Sequence, residues 1–191
     1  MIDQRFMREY ETERLFLRVL DERYASDVLE FLNEGAETFD EYESEKSAEY
    51  YTTSFQQRVL KMEYNMAMQK VAVRFYVFKK EDPYKIIGTV SFSFVRQSPF
   101  FSCMLGYKLL PGEWHKGYAS EAIKAAMDIA APILNVGRIE AVVLPENRSS
   151  QTLLSRLGFS LEGTANKIIE VKGIRRDHLQ YSYLYKNESL Y

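Results

Sequence analysis

The fold class that this sequence predicts is α+β, a single domain (residues 1–191) built on a mixed sheet of about seven strands flanked by about four helices. Three observations predict it. Apolar residues recur at helical spacing before residue 70, alternate between residues 71 and 94, and return to helical spacing after Gly117. The resulting order is β-α-α-β-β-β-α-β-α-β-β. No repeat, low-complexity tract or Pro/Gly-rich linker divides it.

Residues 14–20 alternate imperfectly and read as the first strand. Asp21 is placed to cap a helix in which Ala25, Val28, Leu29 and Leu32 share a face, with Gly35 as its expected stop. A second helix is expected over about residues 47–69, with Ala48, Tyr51, Phe55, Val59, Met62 and Met66 as its apolar stripe. Val71, Val73, Phe75 and Val77 then alternate. Beyond Asp82-Pro83, Val90, Phe92 and Phe94 alternate with Ser91 and Ser93, which signals a hairpin. Residues 101–110 form a third strand, ended by Pro111-Gly112. Past Gly117, the residues Ala119, Ala122, Ile123, Ala126, Met127 and Ala130 lie on one helical face. Residues 138–144 read as a short buried strand. Asn147 then caps a helix bearing Leu153, Leu154 and Leu157, with Gly158 just past its end. Residues 160–186 read as two closing strands around Lys172-Gly173.

Composition narrows the function. With 46% hydrophobic and 27% charged residues, the chain is that of a soluble globular protein. No apolar run approaches the roughly 18–20 residues of a transmembrane helix, and the first residues lack a secretory signal pattern. A single cysteine, Cys103, fits a reducing compartment, so a cytoplasmic location is expected. Two histidines far apart argue against a His/Cys metal site. A net charge of −2 gives no electrostatic case for nucleic-acid binding.

The segment richest in chemistry is Leu109-Leu110-Pro111-Gly112-Glu113-Trp114-His115-Lys116-Gly117-Tyr118-Ala119-Ser120-Glu121-Ala122. A strand ends, a short basic loop follows, and a helix opens with Gly-x-Ala. The first-turn amides of such a helix have no intrahelical acceptor, and with the helix dipole they suit a phosphate or pyrophosphate. An ordinary strand-to-helix turn has the same pattern. Spacing excludes other cradles: there is no Gly-x4-Gly-Lys-Ser/Thr, no Gly-x-Gly-x-x-Gly after a strand and no Gly-x-Ser-x-Gly elbow.

Several separated segments together resemble the GNAT acetyltransferases, in the branch of RimJ/RimL-type ribosomal-protein N-terminal acetyltransferases. They are Thr12-Glu13-Arg14-Leu15-Phe16-Leu17-Arg18, Ile87-Gly88-Thr89-Val90, Leu105-Gly106-Tyr107 and the loop Trp114-His115-Lys116-Gly117-Tyr118-Ala119-Ser120-Glu121-Ala122. Arg138-Ile139-Glu140-Ala141, Asn147-Arg148-Ser149-Ser150, Leu157-Gly158-Phe159, Glu162-Gly163, Asp177 and the stretch 181–184 continue the likeness. About residues 35–80 have no clear counterpart. The resemblance implies a mostly antiparallel sheet with two central strands splayed around acetyl-CoA as co-substrate, and no metal. It implies that the backbone of Leu109 and Leu110 pairs with the pantetheine, and that the amides of His115, Lys116, Gly117, Tyr118, Ala119 and Ser120 hold the pyrophosphate. Asn147 would hydrogen-bond the cofactor arm. Many relatives carry a tyrosine where this chain has Leu154, which makes Ser150 the candidate to protonate or hydrogen-bond the leaving thiolate; a capping role for Ser150 is the alternative. His115 stands where the branch has glycine, and histidine resists left-handed backbone angles.

The implied reaction is attack of a neutral amine on the thioester, the acceptor being a protein N-terminus or a small amine. No general base is assigned: Glu113 and Glu140 are candidates, and either is equally a solvated or loop-ordering charge. Residues 37–49 hold Glu37, Asp40, Glu41, Glu43, Glu45 and Glu49, either an acceptor-attracting rim or a solvated face. Phe92, Phe94, Phe100 and Phe101 are expected in the core and sheet. A monomer or homodimer is expected, with no membrane partner. The alternative to an enzyme is a module that binds acyl-CoA without catalysis.

Overall fold

The computed structural model describes Phe6 and residues 9–186. The chain forms β1 (Tyr10–Glu11), β2 (Leu15–Arg18), α1 (Ala25–Phe39), α2 (Thr53–Met68), β3 (Val73–Lys79), β4 (Asp82–Arg96) and β5 (Ser102–Leu109). It continues with α3 (Tyr118–Leu134), β6 (Arg138–Val143), α4 (Arg148–Arg156), β7 (Ser160–Val171) and β8 (Ile174–Leu184). The order is the expected one with a two-residue strand, β1, added at the edge beside β2, so the sheet has eight strands rather than about seven.

The strands lie in the order β1-β2-β3-β4-β5-β6-β8-β7. The pair β5–β6 is parallel, because α3 carries the chain back across the sheet before β6 begins, and the other neighbours are antiparallel. α1 and α2 cover one face of the sheet's first half, over Phe78, Ile86 and Leu110. α3 and α4 cover the other face, with Ala122, Ile123, Ala126 and Leu154 against Phe75, Val90 and Leu105. Because β3 is covered on both sides, Phe75, Tyr76, Val77 and Phe78 are all buried. The alanine stripe of α3 lets that helix sit close to the strands. Its larger buried residues, such as Ile123 and Leu134, each contribute about 1.5–3 kcal/mol of apolar burial.

Four expectations change. Gly35 does not stop α1, which runs on to Phe39; a Cβ at Gly35 would lie 2.1 Å from the Phe39 ring, so the missing side chain makes room within the helix. The second helix begins later than expected: Ala48–Tyr51 is a 3-10 turn, and extended Thr52 caps α2 through its hydroxyl. The buried face of α2 carries Gln56, Leu60, Ala67 and Met68, whereas Met62 is 51% exposed and Met66 36%. Gln56 is turned inward by its bond to the Tyr50 carbonyl, 2.6 Å away, so a polar side chain occupies a position that apolar spacing cannot mark. Finally, Phe92 is buried but Phe94 is 76% exposed and Phe100 64%. A register shift between Ser93 and Arg96, with Phe94 at φ 50°, breaks the alternation there.

Candidate active site

β5 and β6 share three rungs, Ser102↔Arg138, Cys103↔Ile139 and Met104↔Glu140. Beyond them β6 continues against β8 alone, and residues 105–109 of β5 stay paired with β4 alone. The two strands therefore part. The bond from Leu110 N–H to the Ile87 carbonyl, 2.9 Å, sets the antiparallel alternation: Leu105, Tyr107 and Leu109 turn their backbone groups away from β4, toward the gap. Leu110 has given its N–H to Ile87, and its carbonyl accepts from Glu113 N–H. Leu105, Tyr107 and Leu109 thus present the open strand edge, whereas the N–H and carbonyl of Leu110 are both engaged within the protein.

From the end of this edge the chain enters the 3-10 turn Pro111–Glu113. The Trp114 indole N–H donates to the Leu109 carbonyl at 2.9 Å and clamps the loop to the strand. Against the resistance expected of its side chain, His115 adopts φ 60°, an angle histidine takes more readily than most non-glycine residues, and Gly117 follows at φ 84°. Gly117 occupies the N-cap of α3, and no side chain caps the helix. The Glu121 N–H reaches back to the Gly117 carbonyl at 3.1 Å, which leaves the first-turn amides of Tyr118, Ala119 and Ser120 ahead of the intrahelical ladder.

Arg14 braces this loop from β2's approach. Its guanidinium donates to the Lys116 carbonyl (2.9 Å) and the Glu121 carboxylate (2.8 Å), and lies 4.6 Å from the centre of the Tyr118 ring. The Arg14 backbone N–H (2.8 Å) and the Thr12 hydroxyl (2.5 Å) also donate to Glu121. Burial opposes ionisation of Glu121, but these donors and the Arg14 charge hold its carboxyl below the usual range. Glu113 pairs with Lys116 (3.0 Å) and Lys79 (3.3 Å); against the pull of burial, those lysines hold it low as well. It orders the loop and is a weak base.

Across the gap, Asn147 caps α4: its Oδ1 accepts from Ser150 N–H (3.0 Å) and the Ser149 hydroxyl (2.9 Å). Ser150 gives its backbone to this cap, and its own hydroxyl is not the cap. Leu154 is fully buried in the core. Tyr107 leans toward α4 and β8, within electrostatic reach of Tyr181, and its hydroxyl oxygen is buried without a hydrogen-bond partner. Burial pushes the Tyr107 phenol up to about 12, and the neighbouring Ser150 hydroxyl partly offsets this.

On the other face of β4 and β5, under α1 and α2, lies a cavity of about 390 Å³. Glu43 bridges Lys108 (2.7 Å) and Lys46 (3.2 Å) along its wall, and Glu63 pairs with Arg74 (2.8 Å) and accepts from the Tyr76 hydroxyl (3.1 Å). Burial opposes the Glu43 charge, yet the two lysines hold its carboxyl below the usual range; burial lowers Lys108. Of the acidic stretch, Glu43 lines the cavity, while Glu37, Glu41, Glu45 and Glu49 are exposed and Asp40 accepts from Tyr51. Glu140 lies apart, paired with Arg138 (2.9 Å) and Arg96 (2.5 Å).

The acetyltransferase (GNAT) domain family matches residues 14–160. The chain belongs to this family. A ribosomal protein uS5-alanine N-acetyltransferase of Escherichia coli (strain K12) is 31% identical over 88% of this chain and 86% of its own. A probable N-acetyltransferase of Bacillus subtilis (strain 168), YjcK, is 30% identical over 86% of this chain and 90% of its own. The crystal structure of a ribosomal-protein-S5-alanine acetyltransferase from Vibrio fischeri superposes with a TM-score of 0.88. It is 27% identical and covers 94% of this chain and 98% of that one. This GNAT protein is therefore an acyltransferase, which sets aside the binding-only alternative.

In this acetyltransferase, the loop of residues 114–117 follows β5, and Asn147 and Ser150 follow β6, so the two segments extend from the ends of the strands that part. Sequence reasoning missed Arg14 and Glu121 as the loop's brace, and Tyr107 as a buried hydroxyl. Arg14 and Glu121 stand in quoted motifs, but nothing in their spacing joins residues so far apart in the chain. Tyr107 follows a small residue, Gly106, in a strand motif and carried no separate signal.

Proposed function

We propose that this acetyltransferase moves an acetyl group from acetyl-CoA to a primary amine by direct attack on the thioester. The observation that carries this reading is the open edge of β5 leading, through the turn Pro111–Glu113 and a short loop, into the N-terminus of α3, which no side chain caps. The outward backbone of Tyr107 and the N–H of Leu109 suit an extended amide-bearing arm, the Leu109 carbonyl being held by Trp114, and the amides of Tyr118, Ala119 and Ser120 suit a pyrophosphate. His115, Lys116 and Gly117 complete the loop around it. Asn147 holds α4 so that Ser150 faces the same gap, where its hydroxyl is available to the departing thiolate. Donors on the β5 edge serve the oxyanion of the tetrahedral intermediate.

We take the cavity under α1 and α2 as the acceptor site, because Gly106, Tyr107 and Lys108 of the same strand β5 line it, and there an α-amine is favoured. At neutral pH about a tenth of an α-amine with pKa ~8 is already neutral, against less than ~0.1% of a lysine amine at ~10.4. The cavity offers no free base to make up that difference: Glu43 is held ionised by Lys108 and Lys46, and Glu63 is paired with Arg74. The name of the E. coli relative, which specifies an alanine of a ribosomal protein, supports a protein N-terminus over a small amine, and with it a cytoplasmic site of action. The test is CoA release from acetyl-CoA by the purified protein with peptides beginning in alanine or serine, N-acetylated controls and small amines. Release with free N-terminal peptides is expected. Release only with small amines would overturn the acceptor reading, and failure to bind acetyl-CoA in calorimetry would overturn the cofactor reading.

A further inference from the structure

A buried hydroxyl without a partner is expensive, because the group loses water and gains nothing. Among the described residues two side chains hold such an atom, Ser102 and Tyr107. Ser102 belongs to the closed rungs of β5 and β6. Tyr107 belongs to the open edge, and the Ser150 side chain lies beside its phenol without completing a hydrogen bond. Tyr107 therefore carries a donor with no acceptor, next to the hydroxyl assigned to the leaving sulfur.

We propose that Tyr107 is a positioning residue for Ser150: its phenol donates to the Ser150 oxygen when the cofactor fills the gap, which turns the Ser150 hydrogen toward the sulfur. This rests on the acetyltransferase reading above. A serine hydroxyl has one hydrogen and can rotate; an incoming donor on its oxygen leaves that hydrogen free to point away. Catalytic hydrogen bonds that are open without substrate and tighten in the complex fit such a site. In the reaction the amine nitrogen forms the C–N bond, the C–S bond breaks, and its electron pair goes to sulfur. The proton lost from nitrogen ends on sulfur or in solvent. Tyr107 keeps its own proton throughout, consistent with burial holding the phenol far above neutrality.

The pairing is tested with CoA itself, which needs no knowledge of the acceptor. The thiol of bound CoA is titrated by its far-ultraviolet thiolate absorbance in wild type, Tyr107→Phe, Ser150→Ala and the double variant, alongside binding of desulfo-CoA. The expected result is a thiol that ionises at lower pH on the wild-type protein than free in solution. Tyr107→Phe should raise that value by about one unit, a tenfold weaker preference for the thiolate, and leave desulfo-CoA affinity unchanged. In the Ser150→Ala background the same change should do nothing further, because Tyr107 acts through Ser150. Since Tyr107→Phe deletes a hydroxyl that has no partner, its melting temperature should not fall. An unchanged thiol titration overturns the proposal, as does an equal effect with and without Ser150. So does a lowered melting temperature with the thiolate unaffected, which marks a structural hydroxyl. If wild type binds neither CoA nor desulfo-CoA, the cofactor reading fails first and takes this inference with it.

Discussion

Gly117 and Gly158 both sit at left-handed angles, φ 84° and φ 88°, yet one caps the start of α3 and the other follows the end of α4. An alanine at either position carries the cost of a left-handed L residue, about 1–2 kcal/mol. At Gly158 the new Cβ would meet the Tyr183 ring at 3.5 Å, an ordinary contact, so the cost falls on stability alone. In a chain of this size that lowers the melting temperature by about 2–8 °C. At Gly117 the new Cβ would lie 3.2 Å from the Arg14 guanidinium, whose bonds to Lys116 and Glu121 prevent it from simply moving aside. The loop can relax by leaving its bound geometry, and acetyl-CoA must then restore it, which weakens binding by about 5–30-fold. Gly112, in the same loop with nothing within 4 Å of its Cβ direction, is the control: Gly112→Ala should bind normally. Calorimetry with acetyl-CoA and thermal melts on the three variants decide the matter. If Gly117→Ala binds like wild type, or if Gly158→Ala loses affinity to the same degree, the loop's backbone shape is not what holds the pyrophosphate.

Asn147→Ala should lower stability by about 0.5–2 kcal/mol through loss of the α4 cap, whereas Ser150→Ala should lower kcat and leave the melting temperature in place, because Asn147 supplies the capping oxygen. Neutralising the exposed Glu37 and Glu41 should leave amine KM unchanged at low ionic strength. Glu43→Gln should raise it and lower stability, since Lys108 would be left buried without its anionic partner. Bonds from Arg138 and then Ser182 hold the Glu162 carboxyl down at about 2. A carboxyl depressed on folding stabilises above its unfolded pKa, and the gain is lost as pH falls through the folded one. Wild type should therefore lose melting temperature between about pH 4.5 and about pH 2 more steeply than Glu162→Gln, and equal slopes would refute the pairing. The difference should shrink in high salt, because the pair is partly exposed.

The sequence by itself determined the order of the elements and the chemistry of their ends, because both are local. Period distinguishes helix from strand within a dozen residues. Asn147 caps α4 and Gly158 sits left-handed just past it, and Lys172 and Gly173 turn β7 into β8, all as composition indicated. The resemblance implied that the loop around Gly117 and Ser150 share one site; in the fold the loop follows β5 and Ser150 follows β6, the two strands that part. Tertiary structure decided which faces and partners are used. α2 buries Gln56 beside Leu60, Ala67 and Met68 and turns Glu63 toward Arg74 and Tyr76, so its inner face is partly polar where apolar spacing pointed elsewhere. Of the acidic residues between α1 and α2, Glu43 enters the cavity because Lys108 of β5 waits there, a pairing that spans 65 positions. The same holds for Arg14 and Glu121, 107 positions apart, and for the unpaired Tyr107 hydroxyl beside Ser150. Local spacing encodes a residue's own geometry, whereas a charge or a hydroxyl acquires its role from whatever the fold brings within about 3 Å of it.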